Sequence, residues 1–420
     1  MDHFAYRDGV LHAEDVPLTR IADEIGTPVY VYSRAAFEAH AREFRAALEP
    51  IPRAEVAFAI KANPNLAVLR VLADCGYGAD VVSGGELARA LAAGMPPDGI
   101  LFSGVGKTPA ELAAGLDAGI GQFNLELEEE GRVLSAIAAA RGLRAPAVLR
   151  VNPDVDARTH AKISTGSAET KFGVPIDQAV AMYARLAAEP GLALRGVAIH
   201  IGSQLTDLAP LEAAYARIGT LIAELRAAGH AITHVDLGGG LGVRYRAEDT
   251  PPSPSAFGAM AARVTAGWDV RLTFEPGRVI AGNAGVLLTR VIWVKPGVVH
   301  PYVIVDAAMN DLARPALYDA WHDFAAVAPS GARMTANIAG PVCESGDTFA
   351  MARDIDAVAS GDLAVFRTAG AYGATMASTY NSRALVPEVM VSGSAHAVVA
   401  ERILPEAIMA AETLPDWLRR

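Results

Sequence analysis

Apolar and polar positions along this chain follow two successive regimes. In the first, short runs of small, β-branched and aromatic residues recur at 55–60, 79–82, 100–103, 121–124, 147–151, 194–200, 234–237 and 271–274. Between them lie Ala-, Leu-, Glu- and Arg-rich stretches with helical spacing, among them 85–93, 109–118, 126–141, 176–188, 211–228 and 255–266. Eight strands separated by helices predict an α/β fold, a closed (β/α)8 barrel of the TIM type. An open doubly wound sheet satisfies the same alternation, because periodicity does not see closure. After Glu275 the regime changes: 286–294, 301–305, 356–359, 363–367 and 388–392 read as strands between Gly-, Pro- and Asn-rich turns. At the other end, 28–32 reads as a strand, and Ser33 caps a helix running to about Leu48. The expected organisation is therefore N-terminal strands (1–32) joining a β domain, a barrel (33–281) and a mostly β C-terminal domain (282–420).

Composition narrows the class. With 420 residues, 52% hydrophobic and 20% charged, the chain has material for two packed domains and no sign of extended disorder. A net charge of −11 argues against a nucleic-acid surface and against anionic membranes, though local arginines can still hold small anions. Asp2, Asp8, Glu14 and Asp15 crowd a start with no apolar core, so no signal peptide is expected. The apolar stretch 279–294 is broken by Asn283 and Arg290 and is no membrane span. Two cysteines, Cys75 and Cys343, make no disulfide framework. A soluble cytoplasmic protein is the expectation, with no metal.

The chemistry gathers where a barrel puts it, at the C-terminal ends of the strands. Strand one closes on Phe58-Ala-Ile-Lys61-Ala-Asn-Pro64, so one of only five lysines follows four apolar residues. A desolvated lysine loses its proton readily and can form a Schiff base, although a lysine at a strand end also simply snorkels to the rim. Strand six ends in His200-Ile-Gly-Ser203-Gln, strand seven in Asp236-Leu-Gly-Gly-Gly240, strand eight in Glu275-Pro-Gly277-Arg278. A glycine run lets backbone N–H groups approach a phosphate. A phosphate cradle, a Schiff-base lysine and a carboxylate for a pyridine nitrogen are together what pyridoxal phosphate needs.

These motifs, with Asp80-Val-Val-Ser-Gly-Gly-Glu-Leu87, Lys171-Phe-Gly173, Gly340-Pro-Val-Cys-Glu-Ser-Gly-Asp347 and Gly370-Ala-Tyr-Gly373, resemble those of the diaminopimelate decarboxylases. The resemblance runs in order over nearly the whole chain; Phe58 departs from it, standing where that family more often has Tyr. It implies the alanine-racemase-like fold of pyridoxal-phosphate enzymes, a barrel followed by a β domain. It implies that Lys61 holds the cofactor covalently and that His200 stacks on it. Ser203, Gly240 and the Glu275–Gly277–Arg278 turn would bind the cofactor, with a contact from Tyr372. Arg278, Arg314, Tyr318, Glu344 and Tyr372 would meet the substrate, and Cys343 would donate a proton. The Cys343–Glu344 segment is expected to come from a partner subunit, making the active unit a homodimer with shared sites. The expected reaction is decarboxylation of meso-2,6-diaminopimelate at its D-centre, giving L-lysine in the last step of lysine biosynthesis.

The residues agree with that expectation. A substrate with an amino-acid head at each end needs a cation for its distal carboxylate and an acceptor for its distal ammonium. Arg278 and Arg314 offer planar forks for the first and Glu344 suits the second. Glu344 and Asp347 beside Cys343 would favour a protonated thiol, whereas Cys75 reads as packing. A racemase, a decarboxylase of ornithine or lysine, and a barrel that merely holds the cofactor are the rivals. Glu275, the two arginines and Cys343 respectively weigh against them.

Overall fold

The computed structural model describes residues 3–156 and 170–419; Lys162 lies outside the described residues. Two compact units result, one of Phe37–Arg244 with Asp249–Ala281, the other of Met1–Ala36, Tyr245–Glu248 and Gly282–Arg420.

In the first unit, eight strands form one parallel ring: Ala54–Ala59, Gly78–Val81, Ile100–Phe102, Gln122–Leu125, Ala145–Asn152, Leu192–Ala198, His234–Asp236 and Arg271–Phe274. The ring closes where Leu272 pairs with Ala54, and it is continuous across the fourth and fifth strands, where Phe123 pairs with Ala147. The barrel is thus closed, and the open sheet is excluded. The amphipathic stretches form the surrounding helices. Pro109–Ala118 shows why their ends are sharp: Thr108 and Glu111 make a reciprocal capping box, Pro109 occupies the first turn, and Gly119 ends the helix in the left-handed conformation.

Strand one differs from expectation at the position that matters. It stops at Ala59, and Ile60–Ala62 is a tight 3-10 turn with Lys61 at its centre. The Ala59 N–H donates to the Pro276 carbonyl (3.1 Å), tying the end of strand one to the turn after strand eight. Asn-Pro then ends the extended run, and Asn65 caps a further helix, Leu66–Asp74, whose apolar face is buried. The sequence reading passed over that helix because the Asn-Pro stop sits directly on its cap.

The second unit is built on one long strand, Gly285–Lys295, which pairs antiparallel with Val29–Ser33, Tyr302–Val305 and Leu363–Phe366. Val29–Ser33 also pairs in parallel with Glu388–Ser392, so this early strand lies inside the sheet, beside Gly285–Lys295. A three-stranded sheet of Phe4–Arg7, Val10–Ala13 and Val16–Pro17 and the helix Leu18–Ile25 cover it. Phe4, Leu11, Leu18 and Ile21 pack there with Val29, Val31, Val286, Leu288, Val365 and Val389. Each such side chain contributes about 1.5–3 kcal/mol by leaving water.

The strand expected at 356–359 is instead Thr348–Asp356, which pairs with Arg333–Ala339. Asp356 is its last residue, facing Arg333, and Val358 falls in the turn. The charges of Arg353 and Asp354 break the alternation and mask the true strand. Among the described residues, no helix is long and apolar enough to cross a membrane.

Candidate active site

The barrel unit brings Lys61, Asp80, Asn124, Arg150, His200 and Glu275 around one cavity. Each comes from, or just after, the C-terminal end of a different strand. Lys61 Nζ lies 3.4 Å from Asp80 Oδ2, and the aspartate is fully buried while its other oxygen has no hydrogen-bond partner among the described residues. Glu275 is buried too, and its carboxyl is pushed well above the usual range by burial first, then by Asp236 and Asp80. Asp236 is also raised, chiefly by burial, although it accepts from the Gly238 N–H (2.9 Å) and from Asn124 Nδ2 (3.1 Å). Asp80 and Glu275 share the cavity with Lys61 and Arg150, and Asp236 lies behind them, hydrogen-bonded to Glu275. Glu275 is held among other carboxyls, so a cationic ring nitrogen beside it would be favoured.

The glycine turn explains itself by close approach. A Cβ on Gly239 would stand 2.1 Å from the Glu275 carbonyl oxygen, and one on Gly240 would stand 2.6 Å from that of Gly202. Only a chain without side chains there lets strand seven's exit lie against the exits of strands six and eight. The Gly239 N–H donates to His200 Nδ1 (3.2 Å), which fixes that nitrogen as an acceptor. His200 is half-buried, and its pKa is held well below the usual value by desolvation, then by Lys61 and Arg150. Its imidazole is therefore neutral, with a flat face to offer rather than a charge. Ser203 Oγ accepts from Arg278 Nη2 (3.1 Å), and Gly277 starts the turn of helix Arg278–Ala281 by accepting from the Ile280 and Ala281 amides.

The Lys171-Phe-Gly173 motif has a local explanation. Arg150 Nη1 donates to Glu126 Oε1 (2.6 Å), and the Gly173 N–H donates to the same carboxylate's other oxygen (2.7 Å). Phe172 lies beneath the Arg150 guanidinium (4.9 Å to its ring centre). The motif thus clamps Arg150, one of the residues lining the cavity.

In the second unit, Arg314 opens the short helix Arg314–Tyr318 and is buried. Its guanidinium lies 5.5, 5.8 and 6.0 Å from the ring centres of Tyr245, Tyr318 and Tyr372. Tyr372 sits at a positive φ of 56°, a backbone state few side chains adopt. Cys343 and Glu344 are exposed on a separate loop. Asp347 shapes that loop rather than facing the thiol: its oxygens accept from the Met309 (2.7 Å) and Val342 (2.7 Å) amides. Asn381 Oδ1 accepts from the Cys343 N–H (3.1 Å).

Sequence reasoning assigned no role to Asn124, Arg150, Asp236 or His322. The first three share one signal, polar residues at C-terminal ends of otherwise apolar barrel strands. His322 carried none.

A closed barrel with a lysine, a buried carboxyl pair and a glycine cradle at its mouth, followed by a β unit, defines a pyridoxal-dependent decarboxylase. Residues 34–282 match the family described as pyridoxal-dependent decarboxylase, pyridoxal binding domain. The chain belongs, more narrowly, to the diaminopimelate decarboxylase family. It is 53% identical to the diaminopimelate decarboxylase of Zymomonas mobilis over 418 residues, 99% of each chain. It is 51% identical to that of Pseudomonas aeruginosa, again over 99% of each. The structure of the M. jannaschii diaminopimelate decarboxylase with L-lysine superposes with a TM-score of 0.95 at 34% identity, covering 99% of both chains.

Proposed function

We propose that the protein decarboxylates meso-2,6-diaminopimelate at its D-centre with pyridoxal phosphate, releasing carbon dioxide and leaving L-lysine. The observation that carries this reading is Glu275 buried at the same mouth as Lys61, its carboxyl crowded by Asp236 and Asp80. The donor set fits the cofactor: Lys61 Nζ to hold its aldehyde carbon, Glu275 its ring nitrogen, and the Gly238–Gly240 turn with Ser203 and Arg278 its phosphate. When bound, the cofactor supplies an electron sink for the pair left on the α-carbon as carbon dioxide departs.

The chain's own residues do the rest. Asp80 accepts from the Lys61 ammonium and orients it. Glu275 keeps the proton on the ring nitrogen, because a charge pair there relieves its crowding by Asp80 and Asp236. Neutral His200 packs its face on the ring without competing for that charge. Arg314 grips the distal carboxylate, Tyr318, Tyr372 and Arg278 line the substrate, and Glu344 takes the distal ammonium. Cys343 Sγ delivers a proton to the α-carbon, replacing the carbon–carbon bond that broke.

Cys343 and Glu344 are exposed in the single chain, which supports their serving the site of a second copy in a homodimer. Mixing Lys61→Ala with Cys343→Ala subunits tests this. Each mixed dimer would hold one site with both substitutions and one with neither, so activity should return to about a quarter of the parent's. No recovery after verified subunit exchange would show that each site draws both residues from one chain.

The activity itself is tested by carbon dioxide release from meso-diaminopimelate beside the LL isomer, D-lysine and D-ornithine. Release from the meso isomer alone, lost in Lys61→Ala, supports the reading. Release only from a simple diamino acid would make this a neighbouring decarboxylase.

A further inference from the structure

Arg314 is not an arginine waiting in open space. Its Nε lies 3.3 Å from His322 Nε2. His322 is itself buried, and its Nδ1 lies 3.0 Å from the Arg367 carbonyl oxygen. A carbonyl only accepts, so Nδ1 carries the proton and Nε2 presents a lone pair to the Arg314 N–H. The ring is fixed from other directions as well. Tyr245 meets it edge-on (5.4 Å between centres, 87° between planes), and Arg353 Nη1 donates to the His322 carbonyl. Tyr245 belongs to Tyr245–Glu248, the short segment that leaves the barrel unit to pack here.

We propose that His322 is a positioning residue for substrate selection: as its Nδ1–H tautomer it engages Arg314 Nε, so the guanidinium takes a distal carboxylate end-on through its two Nη groups. This rests on the reading of Arg314 as the partner of that carboxylate. An arginine can fork a carboxylate side-on, through Nε and one Nη, or end-on through both Nη groups. With Nε–H committed to His322, only the second geometry remains. The aromatic faces of Tyr245, Tyr318 and Tyr372 hold the guanidinium plane without supplying a competing anion. The histidine touches neither cofactor nor reacting carbon; it acts through the arginine, on binding rather than on chemistry.

Two substitutions separate this from a packing role. His322→Gln places an acceptor oxygen near the Nε2 position and keeps reach to Arg314. His322→Asn keeps a donor for the Arg367 carbonyl but falls short of Arg314. The cofactor-loaded enzyme is assayed for KM and kcat on meso-diaminopimelate and for the inhibition constant of D-lysine, which has no second carboxylate. Expected for His322→Asn is a KM raised roughly tenfold, kcat within about threefold, and D-lysine inhibition unchanged. Expected for His322→Gln is behaviour within about threefold of the parent. A packing histidine held by the Arg367 carbonyl gives the opposite order, with Gln the worse of the two, and that order overturns the proposal. Weakened D-lysine inhibition alongside meso-diaminopimelate overturns it as well. If His322→Asn does not fold, His322→Gln alone decides: a KM raised tenfold sinks the idea. Arg314→Ala distinguishes the levels. An unchanged KM there removes the carboxylate reading and this inference with it; a raised KM there with a parent-like His322→Asn removes this inference alone.

Discussion

The barrel mouth and the Arg314 cradle each bury a charge, and they do so in opposite ways. The mouth crowds Asp80, Asp236 and Glu275 together, leaves an Asp80 oxygen without a hydrogen-bond partner among the described residues, and lifts the proton affinity of Asp236 and Glu275. The cradle surrounds one cation with a neutral imidazole and three aromatic faces. The first is a pocket of crowded carboxyls that a protonated ring would settle. The second is a cation held among neutral groups. Strain from like charges favours cofactor capture, whereas neutral support favours reversible recognition of a carboxylate.

The largest effect that could break this contrast is at Lys61. Lys61→Ala should lower kcat by at least about a thousandfold and abolish borohydride-dependent attachment of cofactor to the chain, read by mass spectrometry. Attachment that persists would place the covalent link elsewhere. Next comes Glu275→Gln, expected to lower kcat roughly a hundred- to a thousandfold with KM little changed. The same substitution should stabilise the cofactor-free protein by about 1 kcal/mol, since it removes one of three crowded buried acids. Arg314→Ala should do the reverse. It leaves the buried His322 Nε2 without this donor and should destabilise the protein by about 1–3 kcal/mol. Thermal unfolding at neutral pH reads both; shifts of the same sign would erase the distinction between the two regions.

How much of this was legible in the sequence differs between the regions for the same physical reason. The barrel's period is local: each strand and helix carries its own pattern and cap, so seven of the eight strand ends fell within one residue of expectation, the strand before Lys61 among them. The sixth strand ends at Ala198 and so leaves His200 on a loop, because the exit must turn to meet Gly238–Gly240. In the β unit, partners lie far apart in the chain, as Val29–Ser33 pairing with Glu388–Ser392 shows. Short strands such as Phe324–Ala326 take their identity from those partners, and no local pattern announces them. His322 was invisible on the same ground. Its meaning comes from Arg314, Arg367 and Tyr245, which only the fold assembles.

The smallest expected effect lies beside the mouth, at Glu86. Ser83 caps helix Gly84–Ala92 by accepting from the Glu86 N–H, and Glu86 reaches back to accept from the Val82 N–H (2.8 Å). Burial, partly offset by that hydrogen bond, raises its carboxyl to about 7, with Asp80 adding to the rise and Lys61 opposing it. In the unfolded chain the same group titrates near its ordinary value of 4.5. Between those two values the folded protein holds a proton that the unfolded chain has lost, so stability falls as pH rises through this window. Below it the group is neutral in both states and has no effect. Glu86→Gln keeps an acceptor for Val82 and never ionises. Its thermal midpoint should match the parent's near pH 4 and exceed it by a few degrees near pH 8. A difference that does not change with pH would mean that Glu86 acts through its cap alone. The crowding of acids would then end at Asp80, Asp236 and Glu275 and would not extend to the helix behind the lysine.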